Sequence, residues 1–212
     1  MDRREAIIDA AVRLFHERGY SNTSMQNIAD AVGLLKGSLY YYITSKEDLL
    51  YEIHERFMNV LIEKTESRET TTDLPPRQRL EGVIIDLLQL IREYRAYVEV
   101  FFRERYSMEG ARWDAIHEKR TRYEAVVREI IQDGQRDGSF RADLDEQIVT
   151  FGLFGMCNWS YQWLNPNGRL SAAEIARNLS TLFLDGLATP KRTSDKHREQ
   201  RPSDQATKAT VV

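Results

Sequence analysis

The sequence has one cysteine, Cys157. No intramolecular disulfide can staple the chain, and a lone thiol suits a reducing cytoplasm. Glycine (11) and proline (5) are scarce, and no alternating strand pattern bounded by turn residues is present, which argues against a β-rich fold. The N-terminus, MDRREAIIDAAVRLFHERG, has charges on both sides of its apolar positions and lacks a signal-peptide core. A long purely apolar run is missing too. The longest uncharged stretch, residues 148–168, contains Thr150, Asn158, Ser160 and Gln162, which fits a buried helix better than a membrane span. The four histidines, His16, His54, His117 and His197, have no metal-ligand neighbour at i+3 or i+4, and G-x-S-x-G, H-E-x-x-H, C-x-x-C and G-x-G-x-x-G are all absent. No catalytic residue, metal site or cofactor is therefore expected. A net charge of −3 argues against a nonspecific nucleic-acid coat but leaves room for a local basic face.

What is present is helical periodicity. With 42% hydrophobic and 30% charged residues in 212, the chain can bury a core and keep a solvated surface. Ile7, Ala10, Ala11, Leu14 and Phe15 mark an amphipathic helix that Gly19 ends. A capping box at Thr23-Ser24-Met25-Gln26 opens a second helix to about Val32, a short third covers residues 35–42, and Ser45-Lys46-Glu47-Asp48 caps a longer one reaching toward Glu66. Residues 67–76 read as a polar loop. Longer helices follow near 77–94, 96–107, 111–136, 143–164 and 171–187, and the chain loses periodicity after Pro190. The fold class is all-α: a three-helix helix-turn-helix module over residues 1–48, a larger helical domain over 49–190, and a disordered tail over 191–212.

The segment TSMQNIADAVGLLKGSLYYYITSK, residues 23–46, has the form of a helix-turn-helix, whose second helix enters the DNA major groove. Ile28, Ala29, Val32, Leu34, Leu39 and Ile43 supply an inner face, with Leu35, Leu39 and Ile43 at i, i+4 spacing. That leaves Lys36, Gly37, Ser38, Tyr40, Tyr41 and Tyr42 to look outward. Gly37 is costly inside a helix, and close approach to a base or sugar would justify it. Lys36 suits guanine O6 or N7, the tyrosine hydroxyls and Ser24 suit phosphate oxygens, and Lys46 at a helix N-terminus suits a phosphate. The bland alternative is a structural bundle with packed tyrosines. It leaves a short polar helix carrying a glycine, a lysine and phenol donors without a role.

Residues 7–50 resemble the TetR family of bacterial transcriptional regulators, on the string AAVRLFHERGYSNTSMQNIADAVGLLKGSLYYYITSKEDLL. The resemblance implies a homodimer that binds a palindromic double-stranded DNA operator, usually as a repressor released by a small ligand. It puts Ser24, Lys36, Gly37, Ser38, Tyr40, Tyr42 and Lys46 where the family contacts DNA. Leu35 departs from the pattern, since a small hydroxyl residue is common there; Tyr42 replaces a histidine and Ile43 a phenylalanine.

In the second half, the uncharged helix at 143–164 carries Gly152, Gly155 and Met156, and small residues suit close helix packing. Paired with 171–187 and its Leu182, it reads as half of a four-helix dimer interface, as the last two helices form in this family; one ordinary buried helix of a monomer is the alternative. Phe101, Phe102, Trp113, Tyr123 and Trp159 are candidates for an apolar pocket, beside anion donors at Arg103, Arg105 and Arg112. A solvated helix face with Glu104, Glu109 and Glu118 as partners explains the same arginines. The stretch DGSFRADLD…NWSYQWLNPNGRLSAAEIARNLSTLFLDGL is similar to TetR-type regulators of fatty-acid and steroid degradation. That similarity implies an acyl-CoA thioester as inducer. The competing classes are a helical scaffold without DNA specificity and an enzyme acting on acyl-CoA.

Overall fold

The computed structural model describes residues 2–69, 74–165 and 167–190. Ten helices and no strand are found among the described residues. The proposed tail at 191–212 lies outside them, as does 70–73 of the expected loop. The N-terminal unit comprises α1 (Arg3–Arg18), α2 (Met25–Ala31) and α3 (Lys36–Leu39). Helix α4 (Lys46–Glu69) leads from it into α5 (Pro76–Glu93), α6 (Arg95–Arg103), α7 (Gly110–Arg136), α8 (Glu146–Asn158), α9 (Ser160–Trp163) and α10 (Ala172–Leu187).

Helix α5 is apolar on most of its circumference, and it packs against α4, α6, α7, α8, α9 and α10. Leu80, Val83, Ile84, Leu87, Leu88, Leu90 and Ile91 are all buried, as a helix wrapped on every side requires. Pro76 starts it at a position where the missing N–H costs nothing. Its first turn also holds the end of α10: Arg77 donates to the Leu184 carbonyl at 3.2 Å and to Asp185 at 2.7 Å, a cation at the negative end of a helix. An isolated antiparallel bridge between Phe140 and Ala188 fastens the same corner. There Gly134 lies under the buried Phe140 ring, and a Cβ at that position would overlap it.

Several expected boundaries shift for identifiable reasons. The capping box forms one residue later, between Ser24 and Asn27, because the Thr23 hydroxyl is turned inward to the carbonyls of Leu14 and Gly19. Helix α4 continues through Ser67 to Glu69, so only the end of the expected loop at 67–76 lies between helices. The helix expected over 143–164 starts at Glu146, since Asp145 caps it by accepting from Gln147 and Ile148 N–H at 2.9 and 3.0 Å while Asp143 pairs with Arg141. It also breaks at Trp159, where Gln162 N–H bonds the Trp159 carbonyl three residues back. Ile148, Phe151, Gly152, Gly155 and Trp159 are exposed along α8 and its end, and Leu182 on α10 is 70% exposed. Met156 is half-buried.

Candidate nucleic-acid interface and ligand cavity

The helix-turn-helix core closes as the periodicity requires at Ile28, Ala29, Leu39 and Ile43, all buried; Val32 and Leu34 are half-buried. Leu35 does not join them. It is the residue before α3, with extended backbone (φ −67°, ψ 143°), and its side chain is 80% exposed. Helix α3 is a single turn, shorter than the expected 35–42, and Tyr41 and Tyr42 follow it as turns whose N–H groups bond the carbonyls three residues back. Lys36, Gly37, Ser38, Tyr40 and Tyr41 all face solvent. Nothing lies within 4 Å of a Cβ built on Gly37, so the protein's own packing does not demand glycine there. Tyr42 is half-buried, with its ring edge-to-face against Tyr41 at 5.3 Å.

Two expected DNA contacts are occupied within the protein. Ser24 caps α2 and bonds Asn27. Lys46 folds back: its Nζ donates to the Tyr20 carbonyl at 2.9 Å and sits 4.2 Å from the Tyr20 ring centroid. The free phosphate clamp expected of Lys46 is thus closed onto its neighbour in this arrangement. Partial burial lowers its pKa.

A cavity of about 200 Å³ opens in the larger domain between α4, α5, α6, α7 and α8. Phe57, Met58 and Leu61 of α4 form one wall; Phe101, Phe102, Tyr123, Phe151 and Phe154 complete an aromatic lining. Of the expected ligand set, Phe101, Phe102 and Tyr123 are brought together there. The other five are not. Trp113 stacks on His117 outside the cavity, and Trp159 is exposed. Arg103 reaches the Phe15 and His16 carbonyls at the end of α1, where a helix leaves acceptors without partners. Arg105 lies over the Tyr106 ring. Arg112 pairs with Glu47 at 3.1 Å and with Asp48. Sequence chemistry marks these arginines as donors, but for Arg103 and Arg112 it does not reveal the acceptors, which lie far along the chain. The polar groups at the cavity are instead Arg120, Glu124 and Asn158. Arg120 is half-buried and forms no ion pair among the described residues. Its only sequence signal was membership of the basic run from Lys119 to Arg122.

The walls of this cavity are also the supports of the N-terminal unit. Helix α4 enters that unit with Leu49, Leu50 and Ile53 buried. Helix α6 clasps α1 from outside. Tyr97 donates to Asp9 at 2.8 Å, His16 pairs with Glu99 at 2.8 Å, and Glu104 accepts the Tyr20 N–H at 3.3 Å. Helix α7 holds α4 through Arg112, through Lys119 to Glu55 at 2.8 Å, and through Arg122 to Glu66 at 2.5 Å.

A family model for "Bacterial regulatory proteins, tetR family" matches residues 7–53, and one for "Tetracyclin repressor-like, C-terminal domain" matches residues 73–187. The chain belongs to the TetR family. It is similar to the HTH-type transcriptional repressor KstR2 of Rhodococcus jostii, 31% identical over 190 residues, covering 89% of this chain and 92% of the relative. The structure of the ketosteroid transcriptional regulator KstR2 of Mycobacterium tuberculosis superimposes with a TM-score of 0.83 at 26% identity, covering 89% and 96% of the two chains. AibR, solved with isovaleryl coenzyme A and operator DNA, gives a TM-score of 0.78 at 30% identity, covering 85% and 97%. The all-α fold with an N-terminal helix-turn-helix, expected from the sequence, is that of this TetR family. Among the described residues, no helix is long and apolar enough to cross a membrane, and no cluster of three or more His, Cys, Asp or Glu fit to hold a metal is present. Cys157 is buried, and burial pushes its thiol up to about 12, so the reactive thiolate is not formed near neutral pH.

His54, missed as anything but a lone histidine, sits where α4 crosses α6. Its Nδ1 lies 2.9 Å from the Leu50 carbonyl and its Nε2 3.2 Å from the Phe101 carbonyl, with the ring 4.8 Å from Phe101. A neutral imidazole has one N–H for these two acceptors. Burial nevertheless lowers its pKa to about 4, the two carbonyls opposing that shift. Because the folded value lies below the unfolded one, the unfolded chain binds the proton first. The resulting contribution, on the order of 3 kcal/mol, is whole above pH 6.5 and is lost as the pH falls toward 4. Denaturant unfolding should therefore show a steeper loss of stability between pH 6.5 and 4 in the wild type than in His54→Gln. Equal slopes would contradict this account.

Proposed function

We propose that this TetR-family regulator is an operator-binding repressor released by an apolar anionic ligand, with acyl thioesters of coenzyme A as the ligand class. The observation that carries the ligand reading is Arg120: a half-buried guanidinium that forms no ion pair among the described residues, at a cavity lined mainly by aromatic and aliphatic side chains with Glu124 and Asn158 as the other polar groups. A half-buried cation of this kind is stabilised by an anionic group delivered from solution. The isovaleryl coenzyme A bound by AibR supports the same class. Its operator DNA supports a DNA partner here. Residues 1–48 act as the reading module and 49–190 as the sensor, with α4 crossing the boundary.

On the reading side, Lys36, Ser38, Tyr40 and Tyr41 offer donors from one exposed surface, and Gly37 leaves room for a base edge or sugar. The exposed Leu35 adds an apolar group suited to a thymine methyl. Ser24, Tyr42 and Lys46 serve as phosphate contacts once Ser24 and Lys46 exchange an internal partner for DNA. Against DNA selected from a random pool, Lys36→Ala should cost roughly 1–3 kcal/mol and relax preference at one base position. A folded variant with unchanged affinity and preference would remove Lys36 from the groove.

A palindromic operator requires two copies. The exposed stripe of Ile148, Gly152, Gly155 and Trp159 on α8, beside Leu182 on α10, supports a homodimer across these helices, with Met156 at its edge. Leu182→Asp would bury a charge in that seam. Sedimentation of the variant should show monomer at micromolar concentration, together with loss of operator affinity. A dimeric variant would place the interface elsewhere.

Filling the cavity displaces walls contributed by α4 and α6, the two helices that hold the N-terminal unit. A ligand preferring the non-binding arrangement a hundredfold supplies about 2.7 kcal/mol, within ordinary allosteric couplings. Reciprocity requires operator DNA to weaken ligand binding by the same factor. Titrating acyl-CoA thioesters of graded chain length, with and without operator, should show this factor. Arg120→Ala should weaken binding at least tenfold while leaving ligand-free operator binding intact. A thioester held equally by free and DNA-bound protein would defeat the mechanism.

A further inference from the structure

A second cavity, of about 430 Å³, lies where α1 meets α4, α5 and α6, and it shares only Phe57 with the first. Its floor is apolar at Phe57, Val60 and Leu90. The rings of Tyr94 and Tyr97 line it edge-to-face, with centroids 6.0 Å apart. The charged groups of the lining are Glu5, Asp9 and Arg56. Arg56 grips Glu5 with two bonds of 2.6 and 2.8 Å and reaches Glu52 at 3.3 Å, while Arg4 lies 3.1 Å from Glu52. Two guanidiniums thus neutralise two carboxylates. Asp9 is left over: it accepts from the Tyr97 hydroxyl at 2.8 Å and has no cationic partner among the described residues.

We propose that this junction cavity is a second ligand site, specific for an organic cation, an amine or quaternary ammonium carried on an apolar body. The Asp9 carboxylate supplies the counter-charge, and the faces of Tyr94 and Tyr97 attract a cation through their ring quadrupoles. Phe57, Val60 and Leu90 take the apolar body. The volume lies within the usual range for small-molecule sites. Arg56 does not oppose the cation, because its charge is already spent on Glu5 and Glu52. A ligand here would touch α1 of the DNA-reading unit and α5 and α6 of the larger domain together. It would therefore act on the junction between the two, independently of the anion reading of the Arg120 cavity.

The test uses the full-length protein with benzyltrimethylammonium as the probe and benzyl alcohol as a neutral analogue, by equilibrium dialysis. Saturable binding of the cation is expected, with benzyl alcohol at least tenfold weaker. Asp9→Asn keeps the acceptor for Tyr97 but removes the charge, and should weaken the cation at least tenfold at an unchanged melting temperature. Tyr94→Leu provides a second variant and should weaken it several-fold. Arg120→Ala should leave it unchanged, which separates this site from the thioester cavity. No saturable binding, equal binding of the neutral analogue, or full binding by folded Asp9→Asn would each overturn the proposal.

Discussion

Helix α4 is buried in two places at once, and the remaining architecture accommodates that requirement. Its first turns place Leu49, Leu50 and Ile53 in the core of the helix-turn-helix, while Phe57, Met58 and Leu61 form a wall of the larger domain's cavity. A continuous hydrogen-bonded helix resists a sharp local kink, so a shift at one end is carried toward the other. Helices α6 and α7 then settle where the rod lies: α6 through the His54 crossing and its bonds to α1, α7 through Arg112, Lys119 and Arg122.

The two kinds of contact along that rod differ in strength. Within each core, burying large side chains contributes about 1.5–3 kcal/mol apiece. Between the units, partly exposed polar pairs, Tyr97 with Asp9, His16 with Glu99, Arg112 with Glu47, rim an apolar core that runs without a break from one unit into the other. Such pairs contribute only about 0–1 kcal/mol each. The polar rim can therefore exchange partners at small cost, while the shared apolar core keeps the two units joined.

The same division explains what the sequence disclosed. Ile28, Ala29, Leu39 and Ile43 were legible because their burial follows from spacing within a few turns. Leu35 was not: it stands at the same spacing, but α3 starts one residue later and its backbone is extended, so the side chain points out. The arginines failed in another way. Arg103 and Arg112 are donors by chemistry, yet their acceptors, the Phe15 carbonyl and Asp48, lie 88 and 64 residues away and depend on how α6 and α7 dock. Trp159 reads as a pocket residue from the sequence, but it ends α8 on the exposed stripe. Helix periods and caps are local properties; charge pairing and pocket lining belong to the assembled tertiary structure.

Arg120 and Phe57 connect the two levels. Arg120 stands one residue after Lys119, which pairs with Glu55 on α4, so α7 presents successive cations to different surroundings: one fastens the rod, the next enters the cavity beside it. Phe57 is the ring that both cavities touch. A ligand that rotates it changes the shape of the other cavity without any new contact. Two occupants that both move that ring would influence each other's affinity, with a sign fixed by whether both favour one position of α4.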